Sequence, residues 1–158
     1  MTQRARDVLV VDDDAGIRKM IVTRLGRLGL STDDAPDGSE ALDRIADSFY
    51  SVILVDLMMP RVDGATFIAR LIETERSTTE RPVVLVMTAS SDFEALLPLG
   101  ERIQAVIAKP FDLIELGELV RDCVDVRALE RTTRGYPGPA PSREGRTAKP
   151  PPPDLPSL

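Results

Sequence analysis

Histidine is absent from this 158-residue sequence, and cysteine occurs once, at Cys123. Without an imidazole, the chain cannot use histidine for acid–base catalysis, in a Ser-His-Asp or Cys-His nucleophile, or in a zinc site. A single cysteine also excludes an internal disulfide framework. These absences rule out several large classes of enzyme and favour a reducing compartment.

Long apolar runs are missing as well. No stretch approaches the ~20 apolar residues of a membrane-spanning helix, and the polar residues 1–7 do not lead into a signal-peptide core. The formal net charge of −6 argues against a surface that binds nucleic acid phosphates. We therefore expect a cytoplasmic protein that binds neither nucleic acid nor membranes.

Proline is unevenly distributed, since eight of the thirteen prolines lie between Pro137 and Pro156. The segment 131–158 has almost no large apolar side chains, so it cannot bury enough surface to offset its ordering entropy. Its five basic and two acidic residues give a charge of +3, which leaves −9 on residues 1–130. We predict a folded domain over 1–130 and a disordered, proline-rich, basic tail over 131–158.

The predicted tail has two interpretations. A solubilising role follows from its composition alone, whereas the polyproline run at Pro150 to Pro153 would suit a partner that recognises proline. Because the tail leaves no room for a second folded domain, we expect any output to come from the first domain.

Four short apolar runs, rich in β-branched residues, do not alternate with polar residues. Such runs are typical of strands buried on both faces of a parallel sheet. They cover Val8–Val11, Val52–Val55, Val83–Met87 and Ala105–Ala108, and the polar stretch Leu30–Ala35 is predicted to add a fifth strand at an edge.

Apolar stripes at helical spacing separate the predicted strands. Strands that alternate with helices predict right-handed crossovers and a sheet covered on both faces. The four stripes cover Ile17–Leu28, which ends at Gly29, then Ala41–Ile45, Phe67–Ile72 and Leu113–Val124. Within 89–102, Pro98 and Gly100 predict only a short or distorted helix.

Polar residues follow each of the four apolar strands. Asp12 to Asp14 follow the first, and Asp56, Thr88 and Lys109 follow the next three in turn. The carboxyl ends of parallel strands share one edge of the sheet, which is where ligands bind in open α/β folds. We therefore expect acids, a hydroxyl and an ammonium group to meet there.

This group of side chains suits a phosphoryl group. Clustered carboxylates repel one another, and a divalent cation such as Mg²⁺, which prefers oxygen ligands, relieves that repulsion. The cation and Lys109 would neutralise phosphoryl oxygens, and Thr88 would donate a hydrogen bond to one of them. Asp56 is then the natural nucleophile, because carboxylates can form aspartyl phosphates.

Each of these residues also has an ordinary explanation when taken singly. Asp14 is typical of a helix N-cap, Thr88 suits a turn, and a lysine before proline is usually a solvated surface charge. Four such residues at four strand ends favour a functional site over four coincidences.

The sequence strongly resembles the receiver domains of two-component response regulators, over roughly Arg6 to Arg127. The resemblance implies a flavodoxin-like α/β fold, with a five-stranded parallel sheet in the order 2-1-3-4-5 and helices on both faces. The matching motifs are Val10-Val11-Asp12-Asp13-Asp14, Asp56-Leu57-Met58-Met59-Pro60 with Asp63-Gly64, Met87-Thr88-Ala89, and Lys109-Pro110-Phe111.

The same resemblance implies a role for each residue of the site. Asp13, Asp56 and the backbone carbonyl of Met58 would bind Mg²⁺, with Asp12 acting mainly through coordinated water. Asp56 would be the phosphoacceptor.

Further implications concern the phosphoryl group and the backbone beside it. Thr88 and Lys109 would each contact a phosphoryl oxygen. Receiver domains usually have a cis peptide bond between this lysine and the following proline, here Lys109 and Pro110.

Partners are implied by the resemblance as well. The donor would be phosphohistidine on a sensor histidine kinase or a histidine phosphotransfer protein, because this chain has no histidine of its own. A receiver transfers the group to itself and later hydrolyses it, so the protein would be a signalling switch and not a metabolic enzyme. The family also suggests a bacterial source. It implies a downstream protein, which the sequence does not identify.

Several positions depart from the family pattern. Val106 replaces a common aromatic residue that reports the state of the site, and Arg102 replaces part of a common Gly-Ala pair. Gln104 and Ala105 replace acidic residues that many DNA-binding regulators use to dimerise, so we do not expect that dimer.

Three functions compete. The first is a stand-alone receiver that switches protein–protein interaction or relays phosphate through Asp56. The second is a receiver-like adaptor that works without phosphorylation, an alternative that Val106 keeps open. The third, a small hydrolase or nucleotide binder, lacks GxGxxG, GxxxxGK[ST] and an Asp-x-Asp motif at Asp56.

Overall fold

Five parallel strands form the centre of the molecule. They are β1 (Arg4–Val11), β2 (Thr32–Ala35), β3 (Ser48–Asp56), β4 (Val83–Thr88) and β5 (Ile103–Ala108). The structure is a computed structural model that describes residues 4–75, 81–89 and 94–135. In it the strands are ordered β2-β1-β3-β4-β5, which confirms the predicted flavodoxin-like α/β fold.

Four α-helices lie between and after the strands. They are α1 (Ala15–Arg27), α2 (Gly38–Asp47), α3 (Gly64–Thr74) and α4 (Leu113–Gly135), and a 3-10 helix covers Glu94–Arg102. All four predicted helices are therefore confirmed. Within the described ranges, none of the helices is both long and apolar enough to cross a bilayer.

An aspartate precedes each of these four helices, and the Asp112 carboxylate accepts hydrogen bonds from two backbone amides in the first turn of α4. The Asp14 carboxylate accepts hydrogen bonds from two backbone amides in the first turn of α1, so its predicted capping role is confirmed. Asp37 and Asp63 cap α2 and α3 in the same way. Gly29 follows α1 with φ at +79°, a left-handed conformation that glycine adopts without strain.

Two apolar clusters cover the two faces of the sheet. One packs strand residues such as Leu9 and Ile53 against α2, α3 and the 3-10 helix. The other packs Val8 and Leu54 against α1 and α4. Because neighbouring residues of a strand point to opposite faces, the stretches of β1, β3 and β4 that lie between the two clusters must be apolar, and they match the predicted runs Val8–Val11, Val52–Val55 and Val83–Met87.

The two edge strands differ from the central ones. β2 is polar and lies at one edge, as predicted. The prediction that Ala105–Ala108 is buried on both faces is wrong, because β5 forms the other edge and its residues alternate between half-buried and exposed. Val106 points outward, with 41% of its surface exposed.

The irregular stretch before β5 folds as a 3-10 helix with Pro98 inside it. This agrees with the predicted short or distorted element, since proline removes a backbone donor from a regular helix. Leu96 is the buried residue of the segment and joins the α2–α3 cluster.

The last helix extends beyond the predicted domain boundary at residue 130. Residues 131–135, which composition places in the tail, are helical. The Thr132 and Thr133 hydroxyls donate to carbonyls one turn earlier, and the Arg131 guanidinium lies 4.3 Å from the centroid of the Phe49 ring. The rest of the predicted tail, 136–158, lies outside the described residues.

Candidate functional site

The residues predicted to form a site gather at the carboxyl edge of the sheet. Asp12 follows β1, Asp56 ends β3, Thr88 ends β4 and Lys109 follows β5. The first three side chains are almost completely buried, with Asp12 at 0%, Thr88 at 2% and Asp56 at 5% exposure. Buried polar groups of this kind need partners, because burial without them is costly.

Lys109 supplies the central contact. Its Nζ lies 2.8 Å from Asp12 Oδ2 and 3.2 Å from Asp56 Oδ2. One ammonium group therefore bridges two buried carboxylates that are far apart in sequence. The Lys109 amide donates to the Thr88 carbonyl at 2.8 Å, and the peptide bond from Lys109 to Pro110 is cis, as predicted.

Backbone amides hold the other oxygens of the two carboxylates. The Asp14 amide donates to Asp12 Oδ1 at 2.9 Å, and the Met58 amide donates to Asp56 Oδ1 at 3.2 Å. Each carboxylate therefore faces a backbone amide on one side and Lys109 on the other.

The electrostatic setting raises the pKa of Asp56 above its ordinary value. Burial is the main cause and the charge of Asp12 adds to it, while Lys109 and the Met58 amide oppose the shift. Burial lowers the pKa of Lys109, but its hydrogen bond to Asp12 and the charges of Asp12 and Asp56 outweigh burial and raise it. Lys109 therefore stays charged.

Three carboxylates at this edge could hold a metal ion. Oxygens of Asp12, Asp13 and Asp56 lie within 4.8 Å of one another, and Asp13 is the exposed member of the group. Lys109 neutralises only one of the three negative charges, so the residual charge suits a divalent cation. Met58 has a side chain that is 64% exposed, and the predicted role of its carbonyl stays a prediction.

The loop after Asp56 requires glycine at one position. A Cβ atom on Gly64 would lie 2.4 Å from the Asp56 carbonyl oxygen and 2.8 Å from the Cα of Leu57. Both neighbours are backbone atoms that cannot move independently, so the close approach of α3 to the end of β3 depends on Gly64. The Gly64 amide donates to the Leu57 carbonyl at 3.0 Å.

Sequence reasoning missed two arginines near the site. The Arg18 guanidinium donates to the Asp12 carbonyl at 2.8 Å and pairs with Asp34 at 2.9 Å. Arg61 has φ at +66°, the one non-glycine residue with positive φ among the described residues, and it pairs with Asp37 at 2.8 Å. Neither position carries a sequence signal, because an arginine in a helix or loop is normally a surface charge.

Comparison with known proteins supports the geometry. A family model described as the response regulator receiver domain matches residues 8–121. The response regulator MprA of a Mycobacterium species is 39% identical over 133 residues, which are 84% of this chain and 54% of that protein. The regulatory protein AtoC of Escherichia coli is 34% identical over 80% of this chain and 27% of its own length.

Solved structures show the same likeness. The receiver domain of a Francisella response regulator has a TM-score of 0.67 and 31% identity, covering 77% of this chain and 98% of its own. The response regulator protein TrrA of Thermotoga maritima, in complex with Mg²⁺ and BeF, has a TM-score of 0.64 and 25% identity, covering 77% of this chain and 99% of its own. These solved domains are covered almost completely, whereas the chain spans only about half the length of the mycobacterial relative.

Proposed function

Because this chain belongs to the response regulator receiver domain family, we propose that it is a signalling switch controlled by phosphorylation of Asp56. The observation that carries this proposal is the contact of Lys109 with both Asp12 and Asp56 in a buried setting beside Thr88. An ammonium group placed there can neutralise a phosphoryl group on Asp56 without further rearrangement of the strands.

The proposed reaction is transfer of a phosphoryl group from a donor phosphohistidine. An oxygen of the Asp56 carboxylate attacks the phosphorus, the P–N bond breaks, and the donor imidazole leaves with a proton from solvent. The Lys109 ammonium pairs with one phosphoryl oxygen, and the Thr88 hydroxyl donates a hydrogen bond to another. Mg²⁺, held by Asp12, Asp13, Asp56 and the Met58 carbonyl, would add positive charge when bound.

The donor has to be a separate protein, because the chain contains no histidine. We assign that role to a sensor histidine kinase or a histidine phosphotransfer protein in the cytoplasm. The curated relatives are longer than this chain, so they do not show how a receiver alone would act. We propose that this protein acts as a stand-alone receiver on an unknown downstream protein, and that it binds neither nucleic acid nor membranes itself.

Loss of the phosphoryl group is proposed to be slow. Met58, two residues after the acceptor, cannot orient an attacking water through its thioether side chain. Ser90 flanks the same path in the sequence and lies outside the described residues. A decay of the ³²P label on Asp56 with a half-life of seconds would refute this part of the proposal.

Acetyl phosphate with Mg²⁺ and intact mass spectrometry would test the function. We expect wild type to gain the mass of one phosphoryl group and Asp56→Asn to gain none. Asp14→Asn is the matched control, because asparagine also caps helices and residue 14 is outside the acceptor set. An adduct that persists in Asp56→Asn would disprove the proposed acceptor.

A receiver-like adaptor that works without phosphorylation is the second candidate. It is favoured by Val106, which stands on the edge strand β5 where many receivers have an aromatic residue. If wild type gains no adduct and does not bind beryllofluoride, the adaptor is the better description. Pull-downs with the unmodified protein would then identify its partner.

A further inference from the structure

The amino edge of the sheet, opposite Asp56, contains a groove of about 780 Å³. It lies between α2 and α3 and is lined by mainly apolar side chains, including Leu42, Ile45 and Leu71. At the start of β3, the lining residue Phe49 is half-buried, whereas its neighbour Tyr50 is almost completely buried and donates its hydroxyl to Asp33. The volume is in the range of pockets that bind drug-sized ligands.

The end of α4 lies next to this groove. The Arg131 guanidinium packs over the ring of Phe49, 4.3 Å from its centroid, and Phe49 is itself a lining residue. The helix ends one turn later, at Gly135. The chain that follows therefore starts close to the groove.

We propose that this groove binds the proline run Pro150–Pro153 of the same chain. A run of four prolines favours the polyproline II conformation, which is already extended and loses little entropy on binding. Polyproline segments bind in grooves lined by aromatic side chains, because the pyrrolidine rings pack against the aromatic rings. Phe49 supplies an aromatic ring at the rim of this groove, and Leu42 and Ile45, which are half-buried, supply apolar surface beside it.

The linker between α4 and the proline run is long enough. Fourteen residues, 136–149, separate Gly135 from Pro150. A flexible chain of that length has a root-mean-square end-to-end distance of roughly 20 Å. A domain of about 130 residues has a radius of gyration near 14 Å, so the run can reach a groove whose rim is beside Phe49.

Charge favours the same arrangement. The linker has three basic residues and one acidic residue, whereas residues 1–130 carry a charge of −9. A tethered segment also has an effective concentration in the millimolar range, so weak contacts suffice for binding within one molecule. A proline-rich segment of another protein would have to compete against that concentration.

Paramagnetic broadening in the full-length protein would test the proposal. A nitroxide would be attached at Ser157→Cys in a Cys123→Ser background. We expect it to broaden the amide NMR signals of groove residues such as Ile45 and Thr74 and to leave those of α1, across the sheet, sharp. Equal broadening of the amide signals from the groove and from α1 would overturn the proposal.

Two further variants separate binding from chance proximity. Ala46→Arg places a long side chain in the groove from an exposed position on α2, and serine at all four positions of Pro150–Pro153 removes the polyproline run. Both should abolish the selective broadening. Asp43→Arg, an exposed position on the same helix that does not line the groove, is the matched control and should keep it.

The occupant is identified by mixing two samples. One is isotope-labelled without nitroxide, and the other carries the nitroxide without isotope. Sharp groove signals in the mixture place the proline run of the same molecule in the groove. Broadened groove signals in the mixture would show that the run of a second copy binds there, and would overturn the proposal.

Discussion

Asp56 is the proposed nucleophile of the site, although its surroundings disfavour the ionised form of its carboxyl group. Burial and the charge of Asp12 raise its pKa from the ordinary value of 3.8. A carboxyl group whose pKa is higher in the folded than in the unfolded chain stabilises the fold only while it is protonated. The metal-free protein therefore holds an ionised Asp56 at a cost in stability when the pH is neutral.

Asp56→Asn should consequently stabilise the metal-free protein. In the presence of a chelator at neutral pH, we expect its thermal midpoint to exceed that of wild type by a few degrees. The difference should shrink as pH falls through the raised pKa of Asp56, and should vanish below about 3.8, where the carboxyl is protonated in both states. Thermal melts over a series of pH values measure this, and a difference that grows on acidification would contradict it.

Gly64 provides a second prediction for a single residue. Gly64→Ala would place a methyl group 2.4 Å from the Asp56 carbonyl oxygen, so we expect a loss of about 1–3 kcal/mol in the free energy of unfolding. Phosphorylation by acetyl phosphate should fall as well, because the backbone that carries Asp56 must shift.

Gly26→Ala is the matched control for that substitution. Gly26 lies in α1, and a Cβ atom there meets nothing within 4 Å. Alanine is the better helix former, so the variant should be more stable by up to about 1 kcal/mol. Urea denaturation of both variants measures the contrast, which equal destabilisation would refute.

At the scale of elements, Arg61 connects the loop after β3 to the start of α2. Its backbone is left-handed, with φ at +66°, and its ion pair with Asp37 involves an arginine side chain that is 77% exposed. An exposed ion pair contributes little stability, whereas a left-handed backbone costs a non-glycine residue about 1 kcal/mol or more.

Two substitutions at this position separate the backbone from the ion pair. Arg61→Gly loses the pair but removes the strain, and Arg61→Ala loses the pair and keeps the strain. We expect the glycine variant to be about 1 kcal/mol more stable than the alanine variant, as read from chemical denaturation. The reverse order would show that the loop does not impose the strain.

These elements also show what could be predicted from sequence. The central strands and their carboxyl-end residues were predictable, because burial on both faces requires continuous apolar runs, and parallel strands bring Asp12, Asp56 and Lys109 to one edge. The exposure of β5 did not follow from its run Ala105–Ala108, which is as apolar as a central strand, although the strand order implied by the family resemblance already placed β5 at an edge. Only its position at the edge of the sheet leaves one side uncovered.

The conformation of Arg61 and the length of α4 were not predictable for different reasons. A positive φ at an arginine depends on the closure of the whole loop, and composition gives no sign of it. Where the helix continues past residue 130, the Arg131 guanidinium contacts the ring of Phe49, a residue far away in the sequence. Local composition contains no information about such a partner.

At the scale of the whole molecule, metal binding should couple to stability. Three carboxylates lie close together and Lys109 pairs with two of them, which leaves negative charge for a cation. A divalent cation that binds only the folded state stabilises it by about 2.7 kcal/mol at a hundredfold excess over its Kd. We expect Mg²⁺ to raise the thermal midpoint of wild type and a chelator to lower it again.

Asp13→Asn should remove most of that Mg²⁺ effect. Asp13 is exposed, so the metal-free variant should melt close to wild type, and loss of the response can then be assigned to the site. Asp14→Asn, next in the chain, should respond to Mg²⁺ as wild type does. A full response in Asp13→Asn would exclude Asp13 as a ligand.

The two halves of the core become complete at different times during synthesis of the chain. The cluster beneath α2 and α3 uses buried residues from Leu9 to Leu96, whereas the cluster beneath α1 and α4 needs Leu116, Val120 and Val124. Once the ribosome has synthesised the chain as far as Leu96, the first cluster can pack, whereas the face of the sheet that α1 covers still lacks the side chains of α4. A chain stalled before Leu113 would therefore present Val8 and Leu54 to chaperones, although its Asp56 edge was already partly built.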